Sequence, residues 1–325
     1  MNKDTMQTIS VVMATYNGEK YLREQIDSIL AQTYPIHELI IQDDCSTDNT
    51  VAIANEYAKR YPVVKVFLNQ RNSGLNQNFK TAVMRATGDF VAISDQDDVW
   101  YNDKLERQMA TIGNRDVCCS AYSYEFLGKE SVNNYPHNVE RLLFFSNVCG
   151  HTMLCRRDFV QTPDNWQGYM WYDWSLSLHA SLGNGLIQIE EPLVWHRLHS
   201  GEVSQMVIRK YKAIGKHSKL YPYLHGLKEY RMWQSDDNRR TIYTHLQQVT
   251  ADGRNPLIHH FCNLLLKEDL LSTLRLCRLC QKHRNKIYFN KTANGLGGWI
   301  RGFFFPMIYS CSMFPYIFYQ KRSKE

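Results

Sequence analysis

Three carboxylates lie within four positions of one short segment, Ser94-Asp95-Gln96-Asp97-Asp98-Val99-Trp100. The segment directly follows the apolar run 90–93, which predicts a buried strand with a charged site at its carboxyl end. Carboxylates this close repel one another unless a cation lies among them. Hard divalent cations such as Mg2+ or Mn2+ prefer carboxylate oxygens. A helix start at residues 100–109 would also suit these acids, so the segment alone leaves both interpretations open.

The elements that must position this segment follow from the spacing of apolar residues. Apolar, β-branched runs predict strands at residues 8–14, 39–41, 63–68 and 90–93. Helices are predicted between these strands, at residues 19–33, at residues leading to 60, and at 75–86. Strands that alternate with helices predict an α/β domain with a mostly parallel central sheet.

Polar clusters follow three of these predicted strands. They are residues 15–17, residues 43–44 and the acidic segment itself. In open α/β sheets, ligands bind outside the carboxyl ends of the strands. We therefore expect the three clusters to converge on one ligand, which favours the metal interpretation of the acidic segment.

The usual devices for binding dinucleotides or triphosphates are absent, since the sequence contains neither GxGxxG nor GxxxxGK[ST]. An aromatic and a carboxylate, Tyr16 and Asp44, are instead suited to stack on a base and to hydrogen-bond it. A metal at Asp95 and Asp97 would then hold a diphosphate. The alternative for Tyr16 is an ordinary turn tyrosine.

Four ordered segments resemble the signatures of family 2 glycosyltransferases with the GT-A fold. They are residues 10–34, 42–50, 72–80 and 94–100, and the resemblance spans roughly residues 8–205. It implies that Ala14 and Tyr16 line the nucleoside, that Asp44 pairs with a pyrimidine base, and that Asp97 is the direct metal ligand. The residues that the resemblance assigns to the donor are Ala14, Tyr16, Asn17, Asp44, Asn72, Asp95 and Arg197.

The segment Tyr172-Asp173-Trp174 resembles the part of the family that carries the catalytic base, which implies this role for Asp173. The sequence departs from the family at Tyr172, where a polar residue often stands. The alternative is that Asp173 caps a helix over residues 174–182.

Residues 195–201 resemble the loop that closes over the donor diphosphate in this family. The resemblance implies that Arg197 pairs with phosphate and that His199 binds the metal or a phosphate oxygen. On the acceptor side, the expected residues are His151, Trp171 and Trp174.

One carboxylate base without a second, nucleophilic carboxylate predicts single displacement with inversion. A hydroxyl would attack the anomeric carbon, and Mg2+ or Mn2+ would stabilise the leaving nucleoside diphosphate. The predicted reaction moves a sugar from a UDP- or dTDP-sugar to an acceptor hydroxyl. The resemblance to rhamnosyltransferases and related bacterial enzymes implies surface polysaccharide of the O-antigen or capsule type. The alternatives are a sugar nucleotidyltransferase and a non-catalytic membrane scaffold with a GT-A fold.

The charge of the chain is divided unevenly. Residues 1–205 contain 17 Lys and Arg against 25 Asp and Glu, whereas residues 206–325 contain 21 against seven. We therefore predict a GT-A catalytic domain at 1–205 and a basic, mainly helical, membrane-associating region at 206–325. The basic half lacks a recognised nucleic-acid module, so the expected partner is an anionic membrane surface rather than nucleic acid. A solvated surface without a partner is the alternative.

Residues 302–320 carry no charge and include eight aromatic side chains. This composition predicts a segment that lies in the membrane interface, with a spanning helix or packing on the catalytic domain as alternatives. No secretory signal precedes the first strand, and the nine Cys lack a regular framework. The predicted location is therefore cytoplasmic, peripheral on the inner face of the plasma membrane, with a lipid-linked or glycan acceptor.

Overall fold

The computed structural model describes residues 6–126, 129–133, 137–146, 148–198, 220–288 and 293–312. The chain divides into two compact units that alternate along the sequence. The first unit comprises Met1–Tyr135, Val148–Trp166 and Ser175–Leu198, and the second comprises Pro136–Asn147, Gln167–Trp174 and His199–Glu325. The domain boundary predicted at residues 205 and 206 lies outside the described residues.

The first unit is built on one mixed sheet. In chain order the described strands are β1 (Ile9–Thr15), β2 (Glu38–Asp43), β3 (Val64–Leu68), β4 (Phe90–Ser94), β5 (Val99–Trp100), β6 (Val117–Phe126), β7 (Lys129–Asn133), β8 (Leu154–Arg156) and β9 (Leu186–His196). Their order in the sheet is β3-β2-β1-β4-β8-β6-β9-β5, and β7 pairs with β6. The first four strands are parallel, as predicted, whereas β8 runs antiparallel to β4 and to β6.

Helices surround this sheet and make up most of the second unit. In chain order the described α-helices are α1 (Leu22–Leu30), α2 (Thr50–Arg60), α3 (Leu75–Arg85), α4 (Lys104–Ile112), α5 (Val139–Leu142), α6 (Arg157–Val160), α7 (Tyr172–Leu182), α8 (Tyr221–Gln234), α9 (Asp237–Val249), α10 (Pro256–Leu265), α11 (Leu270–Lys282), α12 (Arg284–Ile287), α13 (Gly295–Phe303) and α14 (Phe305–Ser310). All seven residues of β1 are buried, which is typical of a strand covered on both faces by helices.

A two-residue strand follows the acidic segment directly. Val99 pairs with Trp195 and Trp100 with Val194, so that β5 runs antiparallel to β9. The next helix begins only at Lys104, after Asp103 as the N-cap. The interpretation of the acidic segment as a helix start is therefore wrong. The segment does not start a helix because β5 pairs with β9, a strand almost one hundred residues away. This pairing outweighs the local preference of the acids for a helix start.

The C-terminal part of the chain is mainly helical, as predicted. Within the described residues, none of the helices combines the length and apolar character needed to cross a bilayer. The side chains of Phe305, Met307 and Tyr309 are buried. The described part of the predicted interfacial tail, residues 302–312, therefore contributes to the core of the second unit. Residues 313–320 lie outside the described residues.

Candidate functional site

The carboxyl ends of β1, β2 and β4 meet through direct hydrogen bonds. Thr15 donates from Oγ1 to Asp43 Oδ1 at 2.9 Å, and the backbone N–H of Asp44 donates to the Thr15 carbonyl at 2.9 Å. The backbone N–H of Tyr16 donates to Gln96 Oε1 at 2.9 Å, and Gln96 Nε2 donates back to the Tyr16 carbonyl at 3.2 Å. The three polar clusters that were expected to converge therefore do so.

Glycine at position 18 leaves room for the Gln96 side chain in this arrangement. A Cβ atom on Gly18 would lie 2.2 Å from Gln96 Oε1, the atom that accepts the hydrogen bond from Tyr16. The Tyr16 side chain itself is 50% exposed. The Tyr16 backbone is thus fixed by Gln96, while half of the side-chain surface is accessible to a ligand. Ala14, at the end of β1, is buried below this surface.

Asp44 is buried and organises the loop that precedes α3. Its Oδ1 accepts hydrogen bonds from Asn69 Nδ2 and from the backbone N–H of Ser73, both at 2.7 Å. Its Oδ2 accepts from the backbone N–H of Gly74 at 2.8 Å. Each carboxylate oxygen offers about two lone-pair sites, so Oδ2 can accept one further hydrogen bond from a ligand.

Two residues predicted to contact the donor stabilise loops around this position. Asn72 donates from Nδ2 to the Asp44 carbonyl at 3.1 Å. Asn17 accepts at Oδ1 from the backbone N–H of Thr47 at 2.8 Å. Their amide groups therefore have structural partners, and their assignment to the donor stays a prediction.

The three acids of the segment after β4 differ in exposure. Oxygen atoms of Asp95, Asp97 and Asp98 lie within 4.8 Å of one another. The Asp95 side chain is 33% exposed, Asp97 is half-buried, and Asp98 is fully buried. A set of carboxylate oxygens fits the chemistry of Mg2+ or Mn2+. Asp95 and Asp97 are the two members that a ligand can reach.

Asp98 is held by groups from the end of β9. His196 Nδ1 lies 2.8 Å from Asp98 Oδ1, and the backbone N–H of Arg197 donates to the same oxygen at 3.2 Å. His151 Nδ1 lies 3.5 Å from Asp98 Oδ2 and 3.2 Å from Asp95 Oδ2. Burial acts to raise the pKa of Asp98, but His151 and His196 outweigh it and hold the pKa below its ordinary value. Asp98 is therefore a buried anion that ties the segment to β9.

The two histidines form a stacked pair. Their ring centroids are 4.9 Å apart with an angle of 9° between the planes, and Tyr122 packs edge-on against both. His151 is buried, and its predicted place on the acceptor side stays a prediction. Sequence reasoning also missed His196, because its contact with Asp98 depends on the pairing of β5 with β9.

Arg197 braces the acidic segment from the outside. Its Nε donates to the Asp97 carbonyl at 3.0 Å, and its Nη2 donates to Glu24 Oε2 at 2.5 Å. The guanidinium group also lies over the rings of Tyr21 and Trp195, 4.4 Å and 4.7 Å from their centroids. Its predicted role on phosphate stays a prediction, and His199 lies outside the described residues.

The predicted base lies in the first turn of α7, in the second unit. This helix begins at Tyr172, and Asp173 Oδ1 accepts from the backbone N–H of Trp174 at 2.7 Å. Trp174 is buried and donates from Nε1 to the Leu142 carbonyl at 2.6 Å, which is an internal contact of the second unit. Trp171 is half-buried, and the acceptor-side roles of Trp171 and Trp174 stay predictions.

The sequence profile described as Glycosyl transferase family 2 matches residues 10–177. A putative teichuronic acid biosynthesis glycosyltransferase, TuaG of Bacillus subtilis, is 34% identical over 138 residues, which is 42% of this chain and 55% of TuaG. The dTDP-rhamnosyl transferase RfbG of Shigella flexneri is 28% identical over 225 residues, 62% of this chain and 78% of RfbG. The chain spans 55% to 59% of the length of the first curated relatives that it matches.

Two solved structures are similar in fold. Residues 1–349 of TarS from S. aureus, in complex with UDP-GlcNAc, are 18% identical with a TM-score of 0.52, covering 93% of this chain and 89% of the TarS chain. The mannosyltransferase PcManGT of Pyrobaculum calidifontis, in complex with GDP-Man and Mn2+, is 15% identical with a TM-score of 0.51, covering 94% and 86%. At these identities the likeness concerns the fold.

Proposed function

Because the chain belongs to glycosyl transferase family 2, we propose that it transfers a sugar from a nucleotide donor to an acceptor hydroxyl during synthesis of a bacterial surface polysaccharide. The predicted family and GT-A fold are confirmed. One observation carries the proposal. A half-exposed aromatic ring, a buried carboxylate and two reachable acids meet at the carboxyl ends of three neighbouring strands.

The proposed donor is a UDP- or dTDP-sugar. Uracil and thymine carry an N3–H group that can donate to Asp44 Oδ2, whereas N3 of cytosine is an acceptor and would repel that oxygen. The exposed ring of Tyr16 would stack on the base. The RfbG relative is described as a dTDP-rhamnosyl transferase, and TarS was crystallised with UDP-GlcNAc, so both nucleotides occur among similar proteins.

Asp95 and Asp97 are the residues proposed to hold Mg2+ or Mn2+. A bound divalent cation would neutralise charge that develops on the leaving diphosphate. The buried anchor at Asp98 and the Arg197 hydrogen bond to the Asp97 carbonyl keep the segment in place before the donor binds. This bracing avoids the cost of ordering the loop during catalysis.

Asp173 is proposed as the general base that takes the proton from the acceptor hydroxyl. A single displacement would then give inversion at the anomeric carbon. The proposed acceptor is a lipid-linked or growing glycan, in keeping with the Escherichia coli relative WfgD, whose name gives GlcNAc-diphosphoundecaprenol as the acceptor.

Binding and product identity test this proposal. We expect UDP or dTDP to bind in a manner that requires Mn2+ or Mg2+, as measured by calorimetry. Asp97→Asn should weaken this binding by roughly tenfold or more, because it removes the ligand charge. Asp158→Asn, an exposed aspartate of the same unit, is the matched control. Equal affinity of the Asp97→Asn variant and wild type would refute the metal assignment.

The same preparations separate the competing functions. A glycosyltransferase incubated with UDP-glucose or dTDP-rhamnose and a membrane extract as acceptor moves the sugar to an acceptor hydroxyl and releases the nucleoside diphosphate. A nucleotidyltransferase incubated with a nucleoside triphosphate and a sugar phosphate would join them and release pyrophosphate. Asp173→Asn should retain donor binding and lose turnover by at least about a hundredfold. Donor binding without release of either product in wild type would favour a non-catalytic scaffold.

A further inference from the structure

Helix α13 in the second unit has an inverted distribution of side chains. Its buried positions are Gly298 and Gly302, and a Cβ atom on Gly302 would lie 3.0 Å from Arg284 Cβ and 3.1 Å from Gln281 Cα. Its exposed positions include Leu296, Trp299 and Ile300, which are 75%, 51% and 39% exposed. The helix therefore packs on its neighbours through glycine and presents large apolar side chains outward.

The outward side chains form one continuous stripe. Leu296, Trp299 and Ile300 recur at the spacing of three and four residues that places them on one face of a helix. In a helix of an ordinary water-exposed protein, the apolar stripe faces the core and the small or polar residues face water. Because the apolar side chains of α13 face outward, contact of this face with water is unfavourable. An apolar medium outside the chain would stabilise the face.

Helix α8 repeats the arrangement. Its buried Gly226 lies against α14, where an added Cβ would be 2.4 Å from Met307 Cβ. Leu220, Leu224 and Leu227, spaced by four and three residues, are all exposed, and Leu224 is 75% exposed. Both α8 and α13 contact α14. Two neighbouring helices of one unit thus combine glycine contacts inside with leucine outside, a packing mode typical of proteins in lipid.

The positive charge of residues 206–325 indicates which kind of apolar medium suits these helix faces. Residues 206–325 contain 21 Lys and Arg against seven Asp and Glu. Exposed cations lie on α8 itself, at Lys228 and Arg231, and on α11 at Arg275 and Arg278. Basic side chains beside exposed Leu and Trp suit the headgroup layer of a bilayer with anionic lipids.

We propose that the outward faces of α8 and α13 dock on an anionic membrane surface, with the leucines and Trp299 inserted at the level of the headgroups. The exposed side chains of this surface precede the uncharged tail, in which Phe305, Met307 and Tyr309 are buried. The interfacial position expected for residues 313–320 stays a prediction, because they lie outside the described residues. The proposal concerns attachment and does not depend on the identity of the donor or on catalysis.

Flotation of the full chain with lipid vesicles tests the proposal. We expect binding to vesicles of phosphatidylcholine with about 30% phosphatidylglycerol, and weaker binding to phosphatidylcholine alone or in high salt. Replacing Leu224, Trp299 and Ile300 together by Gln should reduce the bound fraction by roughly tenfold. The matched control replaces Leu68 and Met84, exposed apolar residues of the first unit, by Gln. Equal losses in both variants would overturn the proposal.

Three further readouts keep the outcome unambiguous. Quenching by brominated lipids should include Trp299, so the Trp299→Phe variant should bind vesicles normally and show less quenching than wild type. The Gln variant should bind and turn over nucleotide donor in solution as wild type does, which distinguishes failed attachment from failed catalysis. If the Gln variant instead converts a dimer to a monomer, as seen by light scattering, while vesicle binding persists, the face is a contact between copies and the proposal is wrong.

Discussion

A lysine buried beneath the acidic segment should make the stability of the first unit depend on pH. Lys104, in the first turn of α4, is fully buried. Its Nζ donates to Gln108 Oε1 at 3.0 Å and lies 3.7 Å from the ring centroid of Trp100, the residue that ends the acidic segment. Burial lowers the pKa of Lys104 from 10.5 to about 7.

The size of the effect follows from this pKa. The lowering corresponds to about 5 kcal/mol of preference for the neutral amine in the folded chain. Between about pH 7 and pH 10.5 the unfolded chain binds more protons than the folded chain, so the free energy of unfolding rises with pH across this window. From about pH 7 to about pH 9, Lys104 alone should add about 2 kcal/mol to that free energy.

Replacement by methionine isolates this contribution. Lys104→Met keeps a side chain of similar length over Trp100 and removes the titrating group. The free energy of unfolding, obtained from urea titrations followed by circular dichroism, should rise with pH by about 2 kcal/mol less in the variant than in wild type over about pH 7 to pH 9. A change in packing alters the free energy of unfolding of the variant by the same amount at both ends of this pH range. Cysteine ionisation contributes to both proteins. Neither effect therefore alters the difference in pH dependence between the variant and wild type.

The control is Lys59→Met, which changes an exposed lysine of α2. Its pH dependence should match that of wild type. Parallel curves for wild type and Lys104→Met would refute the reasoning, because they would mean that Lys104 binds a proton equally in the folded and unfolded chains.

Two further predictions concern how the site is held. Gly18→Ala should weaken binding of UDP or dTDP by roughly tenfold, since its Cβ would displace Gln96 from the Tyr16 backbone; unchanged affinity in calorimetry would contradict this. Asp98→Asn should lower the free energy of unfolding by about 3 kcal/mol, because it removes the charge that His196 and the Arg197 N–H contact. A loss below about 0.5 kcal/mol in urea titration would show that the anchor is dispensable.

The parallel half of the fold was predictable because its signals are local. The strands β1, β2 and β4 are short apolar runs, and each of these three is followed by a polar cluster at the same edge of the sheet. Ligands bind at the carboxyl ends of such strands, and this rule was sufficient to predict that Tyr16, Asp44 and the acidic segment lie close together.

The parts that sequence reasoning missed depend on contacts between distant segments. The strand β5 has only two residues and exists because β9 pairs with it. The strand β7 was not predicted, and it is positioned by antiparallel pairing with β6. The burial of His151 and Trp174 likewise comes from tertiary packing, which neither residue's immediate neighbours indicate.

The three acids after β4 illustrate why a dense acidic motif need not act as one ligand set. Three anions within 4.8 Å of one another repel strongly. The fold relieves part of this repulsion permanently, because Asp98 is buried against His151, His196 and the Arg197 N–H. Asp95 and Asp97 remain reachable, so a cation bound to them would relieve the repulsion between their carboxylates. A site that is anchored at its last acid and open at the first two can therefore bind a metal together with the donor, while the loop itself stays in place.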